Sequence, residues 1–592
     1  MGLGLIMPAQ QRRATATSLA APIGGWNARD SIAEMSPLDA VTLTNMFPTP
    51  SDVQLRYGYS QYSTGITGQV YSLMNYSAPT TEKLFAVANG VIYDSTNSGA
   101  ATSVFTGLAN SKFQHVNISN TGGHFLVACN GADSTMIYDG SLWFRIATTT
   151  TAQTISSITH TGTTANLTTA SAHGLVTGNR VTITGATAND YNGTYVITVT
   201  GTTTFTYVMA TTPAANASVV GSYTTVGITG VDSSTFINVN LFKNRLWFTQ
   251  KDTLKAWYLD VNSIGGAATA FDFSGIARNG GFLQAMGTWT IDAGQGVDDY
   301  AVFVTNMGEV IVYNGTDPTS STTWALQGVW QLGQTFNRRC FFKFAGDLLL
   351  LTQDGLVPLA SALQSSRLDP RINITDKIYQ AVSEAASNYY DNFGWQVNYY
   401  ASLNMLILNV PVTEGTQQYV MHTITKSWAN FTNISANCWE VHGKADIFFG
   451  GNGFVGRFWD STDDAGSNIN ATIQQAYSYF DSRATLKRFT MARPIFITDN
   501  SLPTVLVGIS TDFNPTSPTG TASFNPANVP VGRWDAGIWD YNLWGGGNNV
   551  QKQWQGVTGL GFSGGVSMSI ASQGVDLHWA STDIVFETGG VL

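Results

Sequence analysis

A strand–turn–strand unit recurs along this chain, and that recurrence limits the fold more than any other feature. Lys83–Asp94 reads KLFAVANGVIYD, His124–Gly140 reads HFLVACNGADSTMIYDG, and Arg245–Asp260 reads RLWFTQKDTLKAWYLD. Tyr300–Gly315 (YAVFVTNMGEVIVYNG), Asp347–Ala360 (DLLLLTQDGLVPLA) and Asp446–Asp460 (DIFFGGNGFVGRFWD) repeat the pattern, and Met405–Trp428 is a longer-looped copy. Each joins two apolar strands through a polar turn in which Gly or Asn can supply positive φ. A hairpin cannot bury both faces alone. Copies recurring about every 40–60 residues, with one insertion discounted, therefore predict radial stacking as blades. The expected fold class is mainly β, a propeller-like body of six or seven blades with an inserted small β module and a C-terminal β domain. A set of ordinary sandwiches is the alternative.

The boundaries follow from shifts in character. Residues 1–25 read as an extended arm, 26–147 as the first part of the propeller and 224–470 as its second part. Between them, residues 148–223 are Thr-rich and almost free of charge, with strands flanking Asn192-Gly193, which predicts a separate β module. Residues 471–592 read as a C-terminal β platform or barrel, with Trp534, Trp539, Trp544 and Trp554 in a Gly-rich stretch. That Trp cluster suits inter-subunit packing, because Trp favours interface centres. Trp143, Trp247, Trp428 and Trp459 fall on blade strands and are expected to fill core wedges. Helices are few. Ser36-Pro37 opens a short one through Asp39–Thr44, as an N-cap and first-turn Pro should, and Thr375–Ser387 is the other.

Charge narrows the function. Only 11% of residues are charged, against about 25% in typical soluble domains, and the net charge is −10. Low charge points to surface hidden in an assembly. Duplex DNA is gripped by clustered Lys and Arg, whereas here the longest basic runs are the pairs Arg12-Arg13 and Arg338-Arg339. DNA that slides past such a surface is compatible with this; tight binding is not. Cys129, Cys340 and Cys438 make neither a zinc pattern nor a disulfide framework, as suits a reducing cytoplasm. No apolar run reaches the roughly 18 residues that span a bilayer, so no membrane anchor is expected.

Catalytic patterns are missing at the level of motif. The histidines form no HExxH, and His422 and His442 fall on predicted strands, where a satisfied imidazole is expected. His173 precedes Gly174 and should make a turn hydrogen bond. No GxSxG or GxxxxGK[ST] phrase occurs. Asp298-Asp299 and Asp463-Asp464 are the conspicuous carboxylate pairs, and both read as turns in which Asp caps backbone. Ser461–Gly466 has a weak likeness to an Asp-box turn, with its Gly displaced by one. Asp460, Asp463 and Asp464 are the single candidate Ca²⁺ set, since three carboxylates in one turn suit a hard cation. No catalytic residue and no cofactor is expected.

Ala21–Tyr59 carries a more specific signal. Pro22, Gly24, Gly25, Asn27 and Asp30 make a Pro-x-Gly-Gly-x-Asn-x-x-Asp phrase, followed by Asp39 and Ala40, Asn45 and Pro48, then Leu55, Arg56, Gly58 and Tyr59. This resembles the opening of the tail nozzle, tail hub or packaged-DNA stabilisation proteins of short-tailed bacteriophages. The usual Trp after that Asn is Met46 here. The ending WASTDIVFETGG from Trp579 is similar to how such proteins close, and the Thr-rich insertion looks like a module of phage virion proteins. The resemblance implies a virion subunit, assembled in the host cytoplasm, that forms a ring of itself (a hexamer) below tail adaptor and portal-side proteins. Tail fibres or a needle would be further neighbours, and duplex DNA would leave through the lumen without sequence-specific binding. Two rivals stay open: a receptor- or glycan-binding tail protein using exposed aromatics, and a propeller enzyme acting on surface polysaccharide.

Overall fold

The computed structural model describes residues 14–292, 297–363, 370–413, 415–499, 504–518, 520–522 and 549–591. Each predicted hairpin supplies the second and third strands of one antiparallel sheet, so the seven units become seven blades. Blade 1 is Val70–Ala78, Thr81–Ala88, Val91–Asp94 and Thr102–Phe105; blade 2 is Gln114–Asn120, Gly123–Cys129, Met136–Tyr138 and Trp143–Arg145. Blade 3 is Phe236–Phe242, Arg245–Gln250, Lys255–Tyr258 and Thr269–Asp272; blade 4 is Leu283–Asp292, Val297–Thr305, Glu309–Gly315 and Trp324–Gln331. Blade 5 has three strands, Phe341–Phe344, Asp347–Thr352 and Gly355–Pro358. Blade 6 opens with Gln396–Tyr400, Met405–Pro411, Thr416–His422 and Ser427–Phe431, and blade 7 with Trp439–His442, Asp446–Gly450 and Val455–Ser461.

The first strand of each blade packs against the first strand of the next, and that of blade 7 against that of blade 1. The seven inner strands thus close a ring, which makes the body a propeller and not a row of sandwiches. The chain seals the ring with a strand from before blade 1: Gly58–Thr64 forms the outer strand of blade 7, antiparallel to Val455–Ser461. Apolar wedges fill the gaps between blades. Trp143, Trp247 and Trp428 are buried as expected, and Trp459 is partly buried against Phe47, Tyr57 and Phe431.

The inserted module is one seven-stranded sheet, from Gln153–Thr161 to Val220–Thr225, with its own core around Ile158, Val181, Tyr191, Phe205 and Tyr223. It is fastened to blade 2 by the Arg180–Asp139 ion pair at 3.0 Å and by Asn179 Nδ2, which donates to the carbonyls of Arg145 and Ile146.

Several expectations are corrected. From Ala14 onward the N-terminal segment is no free arm: Ala14–Ala20 pairs with the final strand, Leu577–Val591. The helix expected from Ser36 is a turn followed by a strand, Asp39–Thr44. Asp39 N donates to the Ser36 carbonyl, so the capping chemistry serves the turn. Six residues would gain few helical bonds after nucleation, whereas Ile469–Gln475 and blade 6 offer this segment ladder partners. The C-terminal residues are also not separate. Blade 6 continues through Gly25–Trp26 and Asp39–Thr44 into Ile469–Gln475, Gly564–Ser572, Thr504–Thr511 and Gly520–Ala522, one ten-stranded sheet. A second sheet, Met46–Pro48, Val53–Leu55, Leu577–Val591, Thr485–Thr498 and Asn549–Lys552, shares with it a core that includes Leu43, Ile473, Met568, Phe496 and Trp579. The boundaries drawn at 25/26 and 470/471 are therefore both bridged by hydrogen-bonded strands. The other helix forms slightly late, as a turn at Asp376–Ile378 and an α-helix at Tyr379–Tyr389. Among the described residues, no helix is long and apolar enough to cross a membrane. Trp534, Trp539 and Trp544, and the Arg12-Arg13 pair, lie outside the described residues.

Candidate functional site

The N-terminal phrase condenses into two polar nodes at the junction of propeller and sandwich. In the first, Gly25 N donates to the Pro22 carbonyl in a turn, and Gly25 holds φ +82 with no room for a Cβ against the Trp428 backbone. Asn27 Nδ2 donates to Asp30 and to Asp39, each at 2.9 Å, while its Oδ1 accepts from the backbone of Arg29 and Asp30. Lys377 Nζ then donates to Asp39 Oδ1 and to the Gly24 carbonyl, both at 2.7 Å, and Arg29 pairs with Asp376. The phrase thereby clamps the segment that leads into the Tyr379–Tyr389 helix. Ala40 is fully buried and pairs with Gln475.

The second node is centred on Arg56, whose side chain is fully buried. Its two terminal nitrogens each meet an Asp464 oxygen at 2.7 Å, Nε donates to Asn45 Oδ1 at 2.8 Å, and Nη2 also donates to the Thr432 carbonyl. Asn45 stands at φ +58, a conformation Asn tolerates, and its amide reaches Thr432 Oγ1 and the Asn470 carbonyl. Asn45 directs the chain into Met46–Pro48, which pairs with Val53–Leu55. Met46 is wholly buried in the sandwich core beside Leu55. Gly58 lies against the Asp463 backbone, and Tyr59 packs on Phe449 and Phe454.

That geometry removes the Ca²⁺ candidate. Asp464 belongs to Arg56; Asp463 accepts from Ser461 Oγ and Gly466 N; Asp460 accepts from Ser60 Oγ and lies 3.4 Å from Arg457. Among the described residues no three His, Cys, Asp or Glu side chains converge as metal ligands. Asp298-Asp299 is not in a turn but on the blade 4 strand Val297–Thr305, where Asp299 pairs with Lys243 at 2.6 Å and accepts from Thr290 Oγ1. The histidines on strands are satisfied, His442 by Asn75 and His422 by Thr425, and His173 Nδ1 accepts from Leu175 N in its turn. The three cysteines are buried and unpaired.

A histidine cluster not anticipated from sequence lies in the sandwich. His578 Nδ1 is 3.2 Å from Asp52 and Nε2 is 3.4 Å from Asp576. Hydrogen bonds to the two carboxylates hold its pKa up at about 9, and the imidazolium draws Asp576 down. Relative to an unfolded value of about 6.5, this stabilisation is complete below that pH and lost as pH rises through about 9. His578→Gln is expected to cost about 1–3 kcal/mol at pH 6 and to flatten the fall in urea midpoint between pH 6.5 and 9.

A cavity of about 310 Å³ lies on the axis of the propeller, lined by the beginnings of the inner strands. Inside it His115 Nε2 lies 3.6 Å from Glu440 Oε2. Burial raises Glu440 to about 7, and burial with the nearby Arg339 charge lowers His115 to about 4, so near neutral pH the imidazole is uncharged and the carboxyl is only part ionised. A carboxyl whose folded pKa exceeds its unfolded one binds extra protons when folded, so stability falls as pH rises from about 4.5 to 7. Glu440→Gln is therefore expected to raise stability at pH 8 by about 1–3 kcal/mol and to leave it nearly unchanged at pH 4, read by urea unfolding.

At the mouth of that cavity, Arg339 reaches across blades. It donates to Gln396 Oε1 and to the carbonyls of Tyr71 and Phe113, and its guanidinium lies over the Phe393 ring at 4.8 Å. Arg338 donates to the Asn130 carbonyl at 2.9 Å. In the sequence this basic pair reads only as a run too short to grip DNA. The usable signal was its place immediately before an inner strand in a chain so poor in charge.

No family model matches the chain, and no curated protein matches it. Among solved structures, it is similar to YCF48 bound to a D1 peptide, at 10% identity over 71% of this chain and 98% of that one, with a TM-score of 0.27. Sqt1 of Saccharomyces cerevisiae gives 10% identity, 71% and 96% coverage and a TM-score of 0.25. The dihydro-heme d1 dehydrogenase NirN gives 11% identity, 61% and 66% coverage and a TM-score of 0.30. What the chain's own sheets establish is a seven-bladed β-propeller joined to a β-sandwich.

Proposed function

We propose that this chain is a structural subunit of a short-tailed phage particle, forming the distal nozzle or hub ring of the tail. The observation that carries this reading is the fate of the N-terminal phrase. Residues scattered from Pro22 to Tyr59 all serve one junction between propeller and sandwich, so the phrase is the mark of an architecture and not of a reaction. In the proposed ring, DNA passes between subunits. The propeller's own bore cannot carry it, since about 310 Å³ holds roughly ten waters and Arg339 crosses its mouth. Catalysis has no part in this reading: of the carboxylates singled out from sequence, Asp464 is engaged by Arg56, Asp299 by Lys243, Asp460 by Ser60 and Asp463 by its own turn. Low net charge per surface suits a wall that a polyanion slides past.

Native mass measurement of the purified chain, alone and mixed with its tail adaptor, tests the proposal. A closed ring with hexameric stoichiometry on the adaptor is the expected result. A chain that ignores the adaptor and instead binds host cells or releases sugar from their surface would overturn it.

A further inference from the structure

Most half-buried cations of this protein carry a carboxylate. Arg56, Arg145, Arg180, Lys377 and Arg493 each have one within 3.1 Å. Among the described residues, Lys112, Arg338 and Arg339 form no ion pair. These three meet at one place. Lys112 immediately precedes the buried Phe113 and the inner strand of blade 2, and Arg338-Arg339 precedes that of blade 5. Lys112 Nζ and the Arg339 guanidinium each stand 4.8 Å from the centre of the Phe393 ring, and Lys112 also lies 5.6 Å from Tyr71. Arg338 and Arg339 line the axial cavity.

Their donors are unequally used. Arg339 is engaged by backbone and side-chain acceptors from blades 1, 2 and 6 and works as a strut. Arg338 uses one nitrogen on the Asn130 carbonyl, and the Lys112 ammonium has ring faces but no acceptor among the described residues. Burial lowers the pKa of Lys112, and the Arg338 and Arg339 charges lower it further. Like charges gathered at one mouth repel, and burial that draws Glu440 up to about 7 weakens the carboxylate nearest to them. A compact anion seated among them would be held by charge-assisted hydrogen bonds from Lys112 and Arg338 over the fixed guanidinium of Arg339.

We propose that this mouth of the propeller is an oxyanion-binding site, in which Lys112 and Arg338 take a phosphate or carboxylate group and Arg339 forms its floor. The group arrives either as a free ion or as the acidic side chain of a docked segment, and it would tie blades 1, 2, 5 and 6 together. This goes beyond the role in a tail ring and stands or falls independently of it, since it concerns the folded chain alone.

Titration calorimetry of the full chain at near-physiological ionic strength tests it, with inorganic phosphate in one arm and a blocked Asp-Glu dipeptide in the other. Saturable binding of either below about 1 mM is expected, weakened about tenfold or more by Lys112→Ala and by Arg338→Gln. Which arm binds identifies the source of the group. A thermal-melt comparison of phosphate with chloride at equal ionic strength should show a rise in midpoint that both variants lose while their chloride midpoints stay near that of the parent. Failure of both probes to bind, or binding that neither variant weakens, overturns the proposal.

Discussion

Replacing Arg56 by alanine is expected to destabilise the protein by about 3–5 kcal/mol, read as a lower urea midpoint together with protease cleavage near the propeller–sandwich junction. The side chain is fully buried and bidentate on Asp464. Its removal strands that carboxylate and the Thr432 carbonyl, and leaves Asn45 Oδ1 with only the Thr432 N–H as donor. Uncompensated buried charge is what makes breaking one partner costly, so Arg56→Ala should far exceed loss of the solvent-screened Arg483–Glu34 pair. The double variant Arg56→Met with Asp464→Leu should recover much of the loss, because no unpaired charge then remains.

The second large effect belongs to Trp247→Ala, expected to cost about 3–5 kcal/mol. Trp247 stands at 1% exposure, stacked on Trp324 at 5.5 Å and edge-on to Phe303 at 5.6 Å, so it wedges blade 3 onto blade 4. Its indole N–H has no acceptor among the described residues, so packing and not a hydrogen bond carries its contribution. In a closed propeller that loss spreads, because each blade is held from both sides. Hydrogen exchange should therefore accelerate in both blades 3 and 4. Exchange confined to blade 3 would mean the blades unfold as independent units.

The propeller was legible because its information is local. A hairpin's two strands and turn lie within about sixteen residues, and period-2 alternation with Gly or Asn between is visible without any partner. Seven such units became the middle strands of seven blades. What stayed hidden was pairing across hundreds of positions. Asp39–Thr44 reads as a capped helix until Gln475 and Asn430 are beside it, and the first segment reads as an arm until Leu577–Val591 covers it. The same distance hid the chemistry of the acidic turn. Asp460, Asp463 and Asp464 are neighbours in sequence, which invites a cation, but Arg56 arrives from some 400 residues away and takes one of them. Lys112, Arg338 and Phe393 likewise share one mouth only because three inner strands begin there.

Electron cryo-microscopy of particles that contain this protein is the decisive test of the proposed tail role. The expected result is a closed hexameric ring on the tail axis, with a lumen between subunits wide enough for duplex DNA and the seven-bladed propellers arranged around it. Propellers mounted off the axis as peripheral appendages, with no opening between copies, would contradict it.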